Sequence, residues 1–271
     1  MRLHQFSIEW LPGLLPLVKA HQQAGQQLDN LCGTYWAAIL LAAIGRNVTP
    51  AEIARLAGST LPTGDPASWL PSGAVSRQDY GLTLPIAADP ALAGTSVQGL
   101  DAAVLMASGG AYRFVPLQAQ WTAERVFDLM DFCRDRSLVP LGNLRTDHLW
   151  GAGLGVADAI AYLNGETIAP PPPDWKVGHF LLAGTVTGAA QECSDRSLVL
   201  VCDTYPMFGW QGYYLQAAEA IAKALDRGDG YGGGVLLFVA SKDYMTIAQA
   251  AIDRGFVVEF WDNGSPIPAG G

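Results

Sequence analysis

Basic residues are scarce in this chain, 16 Lys plus Arg against 25 Asp plus Glu, giving a formal net charge of −9 over 271 residues. They form no cluster, which argues against a nucleic-acid-binding surface. Long hydrophobic runs are also missing. The longest, residues 36–44, is about half of the ~20 residues needed to span a bilayer, so no membrane partner is expected. Residues 11–18 are broken by Pro12 and Pro16 and preceded by Glu9, which does not suit a secretory signal. The four cysteines, Cys32, Cys133, Cys193 and Cys202, form no C-x-x-C, so no zinc ribbon is encoded. In a chain of this size without a secretory signal, reduced thiols and a cytoplasmic location are expected. The glycines at 230 and 232–234 lack a following Lys-Ser or Lys-Thr and read as a turn, not a phosphate cradle. No metal or cofactor is expected, and oligomeric state is not encoded legibly.

What is present is apolar. Half of the residues are hydrophobic and the mean hydropathy is +0.19, which suits one compact core and a single domain over residues 1–271. An extended piece at 6–10 precedes a helix at 14–23. A second, apolar on nearly every face and therefore buried, runs from residue 36 until Gly45 stops it. Thr49-Pro50-Ala51-Glu52 carries a capping residue, a first-turn proline and a glutamate at the third helical position, with Gly58 closing that helix. Residues 61–90, rich in Pro, Ser, Gly and Asp, are too long for an ordinary connection and read as a surface loop or a lid. Helices follow at 97–106 and 123–134, the latter capped by Thr122.

Residues 138–144 begin the strand-rich part. Residues 142–155 are irregular, and 151–174, with four prolines at 170–173, read as a stiff insertion. Strands are expected at 176–186, 197–203, 234–240 and 256–261, with helices at 213–227 and 243–254. The fold class is α+β, with a helical half over about 1–135 and an antiparallel sheet half over about 136–264.

The chemistry is concentrated in Gln26-Gln-Leu-Asp-Asn-Leu-Cys32-Gly33-Thr-Tyr-Trp36, which delivers one thiol to the start of the apolar helix. Unpaired N–H groups and the positive end of the helix dipole favour a thiolate there, the form that attacks carbonyls. Gln26, six positions upstream, places an amide where it would stabilise an oxyanion, while Gln27 is expected to turn away. The bland reading of such a cysteine is a small core residue.

Gln26, five intervening residues, Cys32-Gly33 and an apolar helix resemble the active-site segment of papain-like cysteine peptidases, closest to the bacteriocin-processing, double-glycine leader peptidases. Plant-type papains place Trp directly after the nucleophile, where this chain has Gly33. The resemblance implies a papain-like fold and a histidine base about 130–150 residues after the cysteine, which His179 satisfies in Gly178-His179-Phe180. It further implies that Asp203 orients the imidazole. The leader peptidases follow this Asp with Pro, whereas here Thr204 and Tyr205 intervene before Pro206. His148 is the rival base; His4 and His21 read as surface residues, Cys202 as structural, and Tyr35 and Trp36 as core or pocket wall.

The implied activity is hydrolysis of a peptide, amide or thioester bond through an acyl-enzyme on Cys32, in a bacterial peptide-modification setting. An acyltransferase or ligase using the same residues, and an inactive binding module of the same fold, are the alternatives.

Overall fold

The computed structural model describes residues 7–188 and 196–267. His4, Cys193 and residues 268–271 lie outside them. Helices are α1 (Leu14–Ala24), α2 (Cys32–Ala43), α3 (Pro50–Leu56), α4 (Val97–Ala107), α5 (Ala123–Asp135), α6 (Val156–Leu163), α7 (Ala218–Asp226) and α8 (Tyr244–Asp253). Strands are β1 (Ser7–Trp10), β2 (Tyr112–Leu117), β3 (Pro140–Arg145), β4 (Gly178–Gly188), β5 (Ser197–Cys202), β6 (Tyr213–Ala217) and β7 (Gly234–Ala240). The fold is α+β. Its sheet runs β2-β7-β3-β4-β5-β6, with β1 pairing β4, and every pairing is antiparallel.

The two halves interleave more than the sequence suggests. β1 and β2 come from the helical part yet join the sheet, and α6, α7 and α8 lie in the strand-rich part. The long strand β4 organises the centre: residues 178–182 pair with β3 and 185–188 with β1, while β5 covers its other edge. One main core cluster draws residues from Leu11 to Trp261, so both parts bury into the same interior.

Several local signals act as expected. Thr49 accepts from the Glu52 N–H while the Glu52 carboxylate accepts from the Thr49 N–H, a complete capping box. Thr122 caps α5 by accepting from the Arg125 N–H. Other elements differ. The stretch at 213–227 splits, its first five residues being β6 before α7 begins. Residues 256–261 form no strand, and only Val257 makes an isolated bridge, to Gln118 just past β2. The proline-rich insertion contains α6, and β2 forms despite Pro116. β2 lies at the sheet edge, where a residue without an N–H is tolerated.

The helix that carries Cys32 is docked onto the sheet by two contacts. The Trp36 indole Nε1–H donates to the Phe180 carbonyl at 3.1 Å, and Trp36 is fully buried. Gly33 faces the Phe180 ring so closely that a Cβ there would lie 3.0 Å from it, which explains a residue without a side chain after the cysteine. Among the described residues no helix is long and apolar enough to cross a membrane.

Removing the indole donor leaves a buried carbonyl with one partner fewer, at a cost of about 1–3 kcal/mol. Trp36→Phe should therefore lower the urea midpoint with the denaturant slope unchanged, read by equilibrium unfolding; an unaltered midpoint would remove this contact from the forces seating α2.

Candidate active site

Cys32 is the first residue of α2 and is partly exposed. The loop before it is shaped by Asn30, whose positive φ of 61° suits the residue type and whose Nδ2 donates to the Thr60 carbonyl at 3.1 Å. Leu31 is fully buried with Ala54, Leu61 and Leu84 in a satellite cluster that fixes the helix entry. Leu31 supplies no side-chain cap, so the first N–H groups of α2 lack a capping oxygen from that residue.

His179 stands on β4 opposite Leu144 of β3. Asp203 directly follows β5, and the β4–β5 register pairs Leu182 with Cys202. Extending that register sets Asp203 and His179 as diagonal cross-strand neighbours, within reach of each other's side chains. The His179 Nε2–H donates to Asp203 Oδ1 at 3.1 Å, and the two side chains are 1% and 0% exposed. This leaves Nδ1 for Cys32, whose side chain lies within hydrogen-bonding reach of the imidazole.

The Asp203 carboxylate, sealed from water, is satisfied by more than His179. It accepts from the Tyr205 N–H at 3.1 Å, the Thr204 hydroxyl at 3.3 Å and the Tyr214 hydroxyl at 3.4 Å. Its own N–H donates to the Gly212 carbonyl at 2.8 Å. Gly212 has φ +91°, and a Cβ there would lie 2.7 Å from the Asp203 carbonyl, so this return of the chain requires glycine. Trp175 packs edge-on to His179 with centroids 4.9 Å apart and against Tyr205 at 5.2 Å, closing the imidazole off. Thr146 holds this wall in place: its N–H donates to the Val177 carbonyl at 3.0 Å, and its hydroxyl accepts from the Val177 N–H at 2.9 Å.

Burial alone would discharge His179, but the Asp203 carboxylate and the Cys32 side chain together outweigh it. The imidazole pKa is pushed up from 6.5 to about 10. The two remaining described thiols differ from Cys32. Cys133 and Cys202 are 0% and 2% exposed, and burial pushes both well above the usual thiol range.

The other candidates are placed elsewhere. Gln26 turns outward, its Nε2 donating to the Val75 carbonyl at 2.6 Å, and Arg77 donates to the Gln26 carbonyl. Gln27 is instead drawn inward. Its N–H donates to the carbonyl of Thr204, the residue after Asp203, its side chain is 3% exposed, and its Oε1 is buried without a partner. The Gln26 amide is thus claimed by the Val75 carbonyl, and Gln27 is the buried one of the two. His148 is exposed and hydrogen-bonds the Arg227 carbonyl at 2.9 Å, not Cys32. His21 is not a surface residue: it is 4% exposed, bonded to the Tyr35 hydroxyl at 2.8 Å and stacked on Trp36, and burial lowers its pKa.

Residues 61–90 are fastened down, not poised as a free flap. Asp29, 1% exposed, accepts from the Ser76 hydroxyl at 2.6 Å and the Arg77 N–H at 2.9 Å, and its own N–H donates to the Arg77 carbonyl. This segment walls a groove of about 600 Å³ with Gln26, Leu28, Tyr35, Arg77, Tyr80 and Leu82 among its lining. Trp175, Tyr214 and Thr146 are neighbours of the pair that sequence reasoning passed over.

Fold and site together define an α+β protein in which a helix-start cysteine, a strand histidine and a buried aspartate converge from three distant segments. The chain belongs to the family of unknown function DUF6885, whose model matches residues 11–262 and so spans all of these positions. No curated protein and no solved structure matches it.

The raised His179 pKa has a stability consequence of definite sign. A group whose folded pKa exceeds its unfolded value contributes stability fully below about 6.5 and loses it as pH rises through about 10. Urea unfolding across this interval should show the wild type weakening with pH and Asp203→Asn weakening much less steeply. Parallel profiles would mean that Asp203 does not set the charge of His179.

Proposed function

We propose that this protein is a cysteine-nucleophile hydrolase of papain-like fold that cleaves a peptide, amide or thioester bond through an acyl-enzyme on Cys32. The observation that carries the reading is the orientation of His179: Nε2–H on a buried carboxylate, Nδ1 left for a thiol at an uncapped helix start. A structural cysteine needs none of these features. The order of the residues along the chain and the sheet position of the histidine support the same family resemblance.

In this reading Cys32 and His179 form a thiolate–imidazolium pair. The Cys32 sulfur attacks the substrate carbonyl carbon, and the carbonyl π electrons move to oxygen. The Cys32 N–H and the Gln27 amide donate to that oxyanion, where preorganised donors are worth most. As the tetrahedral intermediate collapses, His179 gives its proton to the departing amine or thiolate, leaving a thioester on Cys32. Neutral His179 then takes a proton from water, whose oxygen attacks the thioester carbon. Collapse releases the carboxylic acid and restores the pair. Asp203 fixes the tautomer and stabilises the imidazolium throughout.

Brief treatment with iodoacetamide at neutral pH should alkylate Cys32 ahead of Cys133 and Cys202, read by peptide mass mapping; equal or slower labelling of Cys32 rejects a reactive nucleophile. On a substrate found by screening, Gln27→Ala should reduce turnover by about two to three orders of magnitude. Gln26→Ala should leave turnover near wild type. The opposite result would return the oxyanion role to Gln26, and two silent substitutions would leave it to the backbone.

A further inference from the structure

A second concavity, formed by the segment after β3, the proline-rich stretch and helices α6 and α7, plays no part in the chemistry above. Its volume is about 310 Å³, at the lower end of small-ligand sites. Two side chains on its lining, Arg196 and Lys223, have no carboxylate within ion-pairing distance among the described residues. In a chain with 16 basic against 25 acidic residues, the lining of this cavity carries two cations against one carboxylate. His148 adds a third polar group. Its Nε2–H is committed to the Arg227 carbonyl, which leaves Nδ1 available.

The walls are preformed. Trp150 is held by Gln216, whose Oε1 accepts from the Trp150 N–H at 2.8 Å and whose Nε2 donates to the Trp150 carbonyl at 2.6 Å; Gln216 is fully buried. Tyr162 meets Trp150 edge-on at 5.1 Å and is 3% exposed. The one carboxylate on the lining, Glu219, accepts from the Tyr162 hydroxyl at 2.5 Å. The Arg196 guanidinium lies 5.2 Å from the Tyr162 ring centroid, with its fork free for more than its one bond to the Glu166 carbonyl. Pro170 closes one side, and the strand of prolines is fixed there by a bond from the Gly151 N–H to the Pro171 carbonyl at 3.0 Å.

We propose that this cavity binds a small organic anion, a phosphate ester or carboxylate on a flat ring, with the anionic group on Arg196 and Lys223 and the ring against Trp150. Planar guanidinium recognises such oxyanions in a bidentate manner, and the aromatic walls supply the apolar contact. The site is independent of the thiol chemistry.

Calorimetric titration tests this with phenyl phosphate, inorganic phosphate and benzylamine as probes. Phenyl phosphate should bind most tightly, inorganic phosphate more weakly, and benzylamine not measurably. The double variant Arg196→Gln/Lys223→Gln should weaken phenyl phosphate by at least about tenfold, while Cys32→Ala binds as the wild type does. Lys223→Gln alone, on an exposed position of α7, should weaken binding in the same direction and guards against misfolding of the double variant. No phenyl phosphate binding at millimolar concentration, binding unchanged in both variants, or benzylamine binding as well as phenyl phosphate would each overturn the assignment.

Discussion

The interaction on which the rest of the site depends is the enclosure of the Asp203 carboxylate. An ionised carboxylate without access to water is costly unless donors replace its hydration. Four do so here, and each comes with a structural demand. The Tyr205 N–H requires the tight turn after β5, the Tyr214 hydroxyl requires β6 as the next strand, Gly212 allows the return between them, and His179 requires β4 in its register with β5. The two residues that separate Asp203 from Pro206 thus supply two of its hydrogen bonds. They are part of the carboxylate's solvation, not a disturbance of the loop.

The second layer of organisation brings α2 to this pair. Trp36 and Gly33 seat the helix against Phe180, the residue next to His179, so the position of the sulfur is fixed relative to the imidazole by one buried hydrogen bond and one close contact. Asp29 performs a related task from the outside, fastening residues 76–77 to the loop that precedes Cys32. Both devices act on the entry to the helix, where a small displacement would change the reach of the thiol most.

Much of this was legible in the sequence because its signals are local or chemical. Caps at Thr49 and Thr122, the apolar run of α2 and the strands β4, β5 and β7 follow from pattern alone. Cys32 could be nominated by its place before the apolar helix, and His179 and Asp203 through the resemblance to papain-like peptidases. What could not be read depends on partners distant in sequence. The Tyr213–Ala217 segment runs directly into the Ala-rich α7 and reads with it as one helix, and only pairing with β5 makes it a strand. Residues 256–261 look like a strand but make only the isolated bridge at Val257. His21 is polar and helical, and only the Tyr35 hydroxyl and the Trp36 ring explain its burial. The Val75 carbonyl that claims the Gln26 amide is likewise a distant partner to which no motif gives access.

The order of segments along the chain has a temporal consequence. Cys32 is synthesised before His179, Asp203 and Tyr214, and β1 itself finds its partner only when β4 has been made. Contacts of such long sequence separation form slowly and late. Until those segments are made, the thiol has neither His179 nor Asp203 beside it. The Asp203 carboxylate is fully enclosed only when the strand carrying Tyr214 closes over it.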